Sequence, residues 1–144
     1  MSKSLTKEEE QALIQAAKDA RENSYSPYSH FKVGAAVLTS DGKIFTGTNI
    51  ENSSYGLTIC AERSALFAAV GMGARKFRAL ALITQKTAGA KFNSPCGACR
   101  QVMGEFFSPS TPIYMAVING KKVEVYKKTL KEILPFPFPK LAEE

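Results

Sequence analysis

A three-layer α/β domain on a mixed five-stranded sheet is the fold this sequence predicts, and three observations predict it. At 144 residues the chain has the length of one domain, 1–144, with enough chain to bury a core. Apolar periodicity changes along it in the order helix, strand, strand, helix, strand, helix, strand, strand, helix, the pattern of helices covering both faces of a sheet. The stretch from Arg78 to Ile118 reads as strand, helix, strand, a crossover unit whose two strands run parallel, and hairpins on either side supply antiparallel neighbours.

In chain order, Thr6-Lys7-Glu8-Glu9 has the form of a capping box, and Ala12, Leu13, Ala16, Ala17 and Ala20 follow at helical spacing. A first amphipathic helix therefore runs to near Asn23. Phe31 to Thr39 reads as a strand, Ser40-Asp41-Gly42 as a turn and Lys43 to Thr48 as the returning strand. Gly34-Ala35-Ala36 is unusually small for strand packing, which fits either a helix crossing closely over it or room for a ligand beside Phe31. Glu51 to Ile59 is a polar connection. From Cys60 a second helix begins, and its run Ala65-Leu66-Phe67-Ala68-Ala69-Val70 leaves so little polar face that it is expected to be buried on all sides.

Gly71 and Gly73 end that helix, and Arg78 to Thr84 is an apolar strand of the kind found inside sheets. Ser94-Pro95 looks like an N-cap followed by proline at the first helical position, opening a helix that carries Val102, Met103, Phe106 and Phe107 inward. Ser108-Pro109-Ser110-Thr111-Pro112 breaks it. Ile113 to Ile118 and Val123 to Tyr126 pair through Asn119-Gly120. Thr129-Leu130-Lys131-Glu132 repeats the capping-box form before a short helix, and Pro135-Phe136-Pro137-Phe138-Pro139 closes the chain in an extended, stiff form.

Lys and Arg number 19 against 13 Asp and Glu, a net charge of +6. The lysines are scattered, with pairs at Lys121-Lys122 and Lys127-Lys128, and no dense basic run tracks a phosphate backbone. A solvated basic surface is the reading, with no nucleic-acid partner. Met1 to Glu10 has no apolar signal-peptide core, and the longest apolar runs fall well short of the roughly 20 residues that span a bilayer. A cytoplasmic protein with no membrane partner is expected, and reduced thiols suit that compartment.

The chemistry gathers at the cysteines. All three lie in Cys60-Ala61-Glu62 and Pro95-Cys96-Gly97-Ala98-Cys99. Catalytic zinc sites use three protein ligands and one open position, whereas structural sites close the tetrahedron with four. Three thiols point to a catalytic Zn2+. Both stretches open helices, where the macrodipole lowers thiol pKa, and Arg63 supplies a fixed cation against the thiolate charge. Glu62, two residues after a ligand, is placed to move protons without taking a coordination position. On spacing alone two other readings stay open: a Cys-x-x-Cys redox pair, which leaves Cys60 and Glu62 without a role, and a structural zinc closed by His30, the single histidine.

These motifs resemble those of the zinc-dependent cytidine and deoxycytidylate deaminases, in particular the small, all-cysteine cytidine deaminases. Tyr28-Ser29-His30-Phe31-Lys32-Val33-Gly34-Ala35-Ala36, Asn49-Ile50-Glu51-Asn52, Cys60-Ala61-Glu62-Arg63 and Pro95-Cys96-Gly97-Ala98-Cys99-Arg100-Gln101 resemble family blocks in family order, from about Tyr25 to Phe138. The resemblance implies hydrolytic deamination of cytidine and 2′-deoxycytidine in pyrimidine salvage. It implies Glu62 as proton shuttle, Cys60, Cys96 and Cys99 as metal ligands, and Asn49 and Glu51 on the ribose 3′-hydroxyl. Phe31 would pack against the base, the Ala61 N–H would hydrogen-bond it, and Tyr55 would line the ribose end. It also implies a homotetramer in which Phe138 stacks in a neighbour's site; on residues alone, Phe136-Pro137-Phe138 folding into its own core competes with that. Deamination of a different small molecule, as in the related blasticidin deaminases, is the alternative that Glu51 argues against. A non-enzymatic zinc or redox module is the one that Glu62 argues against.

Overall fold

The computed structural model describes residues 4–142. Its elements are α1 (Lys7–Arg21), β1 (Gly34–Thr39), β2 (Ile44–Thr48), a 3-10 turn (Tyr55–Leu57), α2 (Ala61–Gly71), β3 (Phe77–Gln85), α3 (Gly97–Phe106), β4 (Pro112–Asn119), β5 (Lys122–Thr129) and α4 (Leu130–Ile133). The sheet order is β2-β1-β3-β4-β5. β3 and β4 are parallel, joined by the α3 crossover, and the other neighbours are antiparallel. This is the three-layer fold expected. α1 covers one face through Leu13 and Ala17 against Ala36, Leu38, Ala79, Ala81 and Ile83. α2, α3 and Leu130 of α4 cover the other, with Ala65, Leu66, Cys99 and Met103 against Val37, Leu80, Leu82 and Met115.

Both capping boxes form: Thr6 accepts from the Glu9 N–H while Glu9 accepts from the Thr6 N–H, and Thr129 and Glu132 repeat the exchange. At Gly34 the close-helix reading holds, since an added Cβ would lie 2.0 Å from the Ala17 carbonyl oxygen. Gly47 meets α2 in the same way, with the Ala65 nitrogen at 2.3 Å.

Three expectations are corrected. β1 begins at Gly34, not Phe31, because the Asn49 side chain takes the Val33 N–H (3.0 Å) and donates to the Phe31 carbonyl (2.7 Å) in place of a strand partner. α3 is capped by Cys96 rather than Ser94; the Cys96 sulfur accepts from the Cys99 N–H at 3.5 Å, and Pro95 lies outside the helix. α2 is not buried on all sides: Ala61, Ala65, Leu66 and Ala69 face the sheet, but Phe67 is 46% exposed and Met72, at its end, 77%. Among the described residues no element covers that outer face, so apolar composition alone did not bury it.

Candidate active site

α2 and α3 bring their N-termini to one end of the sheet, α3 at the carboxyl end of parallel strand β3, where ligands of α/β sheets collect. Cys60 is the N-cap of α2 and Cys96 the N-cap of α3, with Cys99 one turn on. The Cys60 and Cys96 sulfurs are 3.7 Å apart and those of Cys96 and Cys99 3.5 Å. All three ligand atoms lie within 4.8 Å of one another, and His30 is not in that group. His30 instead stands in a left-handed conformation, φ 56°, near Glu51. The structural-zinc reading thereby loses its fourth ligand among the described residues.

The donor set fits zinc: three soft sulfurs at ligand spacing, each able to ionise, with no fourth protein ligand in the group. The Cys60 thiol is pushed down to about 5 by the hydrogen bond from Cys99 and by Arg63, whose Nη2 donates to its sulfur at 3.6 Å. Cys99 moves up, because it shares its proton with Cys60 and is buried. Arg63 is held more firmly protonated by the Cys60 sulfur, and its Nε is buried without a hydrogen-bond partner among the described residues.

Glu62, in the first turn of α2, is 6% exposed. Burial, followed by the charge of Cys60, raises its carboxyl to about 7. A carboxyl poised there both accepts and releases a proton near neutral pH, which an exposed glutamate does poorly. Ala61 beside it is fully buried and stands at the first helical position, where its N–H meets no helical carbonyl.

The connection leading into Cys60 carries the other expected residues. Glu51 Oε1 accepts from the N–H groups of Tyr28 (2.9 Å) and Ser29 (3.1 Å), and Oε2 accepts from the Ser29 hydroxyl. The Ser29 bond, above all, holds the Glu51 carboxyl below the usual carboxylate range. Glu51, Tyr28, Ser29, Asn52, Tyr55 and Thr58 line a shallow cavity of about 390 Å³. Tyr55 is 77% exposed and meets Tyr28 edge to face at 6.0 Å. Asn49 is buried and, besides the Phe31–Val33 bonds, accepts from the Ser24 hydroxyl at 2.5 Å. Phe31 is half-buried and belongs to neither hydrophobic cluster, so its ring is not a core filler.

Phe138 stands apart from these: 69% exposed, with Phe136 at 93%, it is not folded into its own core. Ser24 and Ser29, which orient Asn49 and Glu51, were not singled out by sequence reasoning. A serine one or two residues before an aromatic, as Ser24 is before Tyr25 and Ser29 before Phe31, carries no signal of which distant amide or carboxylate it will hold.

A family profile described as the cytidine and deoxycytidylate deaminase zinc-binding region matches residues 7–115. The chain is similar to the cytidine deaminase of Sporosarcina psychrophila, 49% identical over 128 residues that span 89% of this chain and 90% of that one. It is 47% identical over 128 residues, 89% of this chain and 92% of the other, to the cytidine deaminase of Halalkalibacterium halodurans. Among solved structures, cytidine deaminase from Burkholderia pseudomallei superposes with a TM-score of 0.82 at 47% identity, covering 93% of this chain and 100% of that one.

Proposed function

From the premise that the chain belongs to the cytidine and deoxycytidylate deaminase family, we propose the roles of its residues in a reaction that is itself the zinc-dependent hydrolytic deamination of cytidine. Cytidine and water give uridine and ammonia, a step of pyrimidine salvage in this family, and 2′-deoxycytidine is a second substrate. The observation that carries the residue assignment is the convergence of three thiols within 4.8 Å on two helix N-termini beside a buried Glu62 raised to about 7.

Cys60, Cys96 and Cys99 hold the zinc. When bound, zinc would supply a strongly acidified water, its pKa lowered to about 7. Glu62 would take one proton from the attacking water and deliver it to N3 of the pyrimidine as the C4–O bond forms, then take the remaining proton from the new C4 hydroxyl and pass it to the exocyclic amine as the C4–N bond breaks and ammonia leaves. Burial serves both halves, since it keeps the carboxyl near the pH at which either direction is downhill enough. The Ala61 N–H is a donor to the base carbonyl, and Phe31 packs against the ring. Glu51 and Asn49 clamp the ribose 3′-hydroxyl; Ser29 and the Tyr28 and Ser29 N–H groups fix the Glu51 carboxylate in its ionised, accepting form. Tyr55 borders the ribose end. Arg63 offsets the thiolate charge through its 3.6 Å contact with Cys60.

The active form is a homotetramer in which Phe138 enters a neighbouring site. Support comes from the uncovered apolar face at Phe67 and Met72 and from the exposed Phe136 and Phe138, which would be wasteful to leave in water. The working location is the cytoplasm, where thiol ligands stay reduced; no helix among the described residues is long and apolar enough to cross a membrane. The experiment that tests the residue assignment is replacement of Cys60, Cys96 or Cys99 by Ala, one at a time, with metal analysis. Each variant should lose zinc, and with it stability, because metal-binding energy is linked to folding. Full zinc content in any of them would remove that cysteine from the ligand set.

A further inference from the structure

The guanidinium of Arg100, one residue past Cys99, donates in three directions: Nε to the Pro95 carbonyl at 2.7 Å, Nη2 to the Ser94 hydroxyl at 2.6 Å and Nη1 to the Ile133 carbonyl at 2.8 Å. Pro95 immediately precedes Cys96, the thiol that caps α3. Ile133 is the last residue of α4, and from it the chain runs out to Phe138. The next residue, Gln101, grips the far end of that run, its amide donating to the Phe138 carbonyl and accepting from the Phe138 N–H, both at 3.3 Å. Two adjacent residues of α3 thus hold the C-terminal segment at its root and at its aromatic end. Arg100 alone also holds the entry of the helix that carries two thiols.

All three partners of Arg100 are neutral oxygens, so the contact is not an ion pair tolerant of loose geometry. It is a junction that uses the fixed planar fork of a guanidinium, a geometry that a lysine ammonium on its flexible stem does not reproduce. Outer groups that orient metal ligands govern how firmly the metal is held. We propose that Arg100 is a positioning residue for the deamination reaction, fixing Ser94-Pro95, and through them Cys96, in one frame with the C-terminal segment that bears Phe138. The proposal rests on the zinc deaminase reading above. It makes the metal-binding end of the chain's own site rigid with respect to the aromatic that the same chain lends to a neighbouring site, so that loosening one arginine is felt at both.

The test compares the zinc-loaded parent with Arg100→Lys, Ser94→Ala, Gln101→Ala and Arg78→Lys by circular dichroism, by the rate of zinc transfer to a chromogenic chelator, and by KM and kcat for cytidine. Arg100→Lys should release zinc about 10-fold faster or more and raise KM more than it lowers kcat. Ser94→Ala, which removes one of the three bonds, should speed release by a smaller factor. Gln101→Ala should raise KM with zinc release unchanged. Arg78→Lys, at an arginine whose guanidinium donates to Glu9 far from the thiols, should lower the melting temperature and leave both readouts at parent values. A folded Arg100→Lys that releases zinc and binds cytidine like the parent overturns the proposal, and so does Arg78→Lys accelerating release equally. Should Arg100→Lys not fold, Ser94→Ala decides alone, and parent-like zinc release in it overturns the proposal. A parent that holds no zinc or turns over no cytidine would instead overturn the deaminase reading beneath it.

Discussion

At Glu62 the proposed chemistry concentrates on a single position. Its place in the chain puts it in the first turn of α2, where it is buried, and burial raises its carboxyl to about 7. Replacing it with Gln keeps size and polarity but removes the titrating group, so zinc content and fold should persist while turnover falls by about 10²–10⁴-fold. Steady-state kinetics on zinc-loaded protein checks this, and near-normal turnover would mean that another residue moves the protons. Glu51 acts differently. With its carboxylate already fixed by Tyr28 and Ser29, Glu51→Ala should raise KM for cytidine and leave the slow reaction of free cytosine nearly unchanged, the pattern of lost uniform binding at the sugar. A drop in kcat with KM unaltered would place Glu51 in the chemical step instead.

At the scale of elements, what was legible in the sequence is what local rules decide. Thr6 and Thr129 announce capping boxes three residues ahead of Glu9 and Glu132, and both form. Asn119-Gly120 announces the β4–β5 hairpin, with Gly120 at φ 64°. The thiol cluster was legible because Cys96 and Cys99 share a helical turn and each thiol-bearing stretch opens a helix. The misread features depend on partners distant in the chain. Asn49 replaces a strand neighbour for Phe31 and Val33, a thiol serves as the α3 cap, and the outer face of α2 stays bare at Phe67. Gly34 was ambiguous until α1 lay across it, and the 2.0 Å approach to Ala17 now gives a prediction. Gly34→Ala should cost about 3 kcal/mol, the upper end for overpacking, because backbone rather than a flexible side chain must move. A denaturant midpoint equal to the parent's would contradict it. The Glu9–Arg78 pair, at 2.5 Å, ties α1 to β3. Arg78 lowers the Glu9 carboxyl to about 2 from an ordinary 4.5. A depressed folded-state pKa contributes stability that is full above 4.5 and is lost as pH falls towards 2. Glu9→Gln should therefore flatten the acid limb of the melting temperature between those values, and an unchanged limb would assign the acid sensitivity elsewhere.

For the whole molecule, the bare face of α2 and the exposed Phe136 and Phe138 are the reason to expect more than one chain per working unit. Mixing Glu62→Gln with Phe138→Ala, each impaired alone, should yield hybrids more active than either parent, since some sites would combine an intact Glu62 with an intact Phe138 from the neighbour. Hybrids, verified by mass, that show only the average of the two would return Phe138 to its own chain. Beneath assembly and sequence alike stands the claim that three cysteines of one chain make a zinc site for deamination. Titrating zinc back into chelator-stripped protein while following the loss of cytidine absorbance tests it most directly. Stripped protein should be inactive, and activity should rise linearly to a plateau at one zinc per chain, with uridine and ammonia formed in equal amounts. Stripped protein that retains full activity would contradict it.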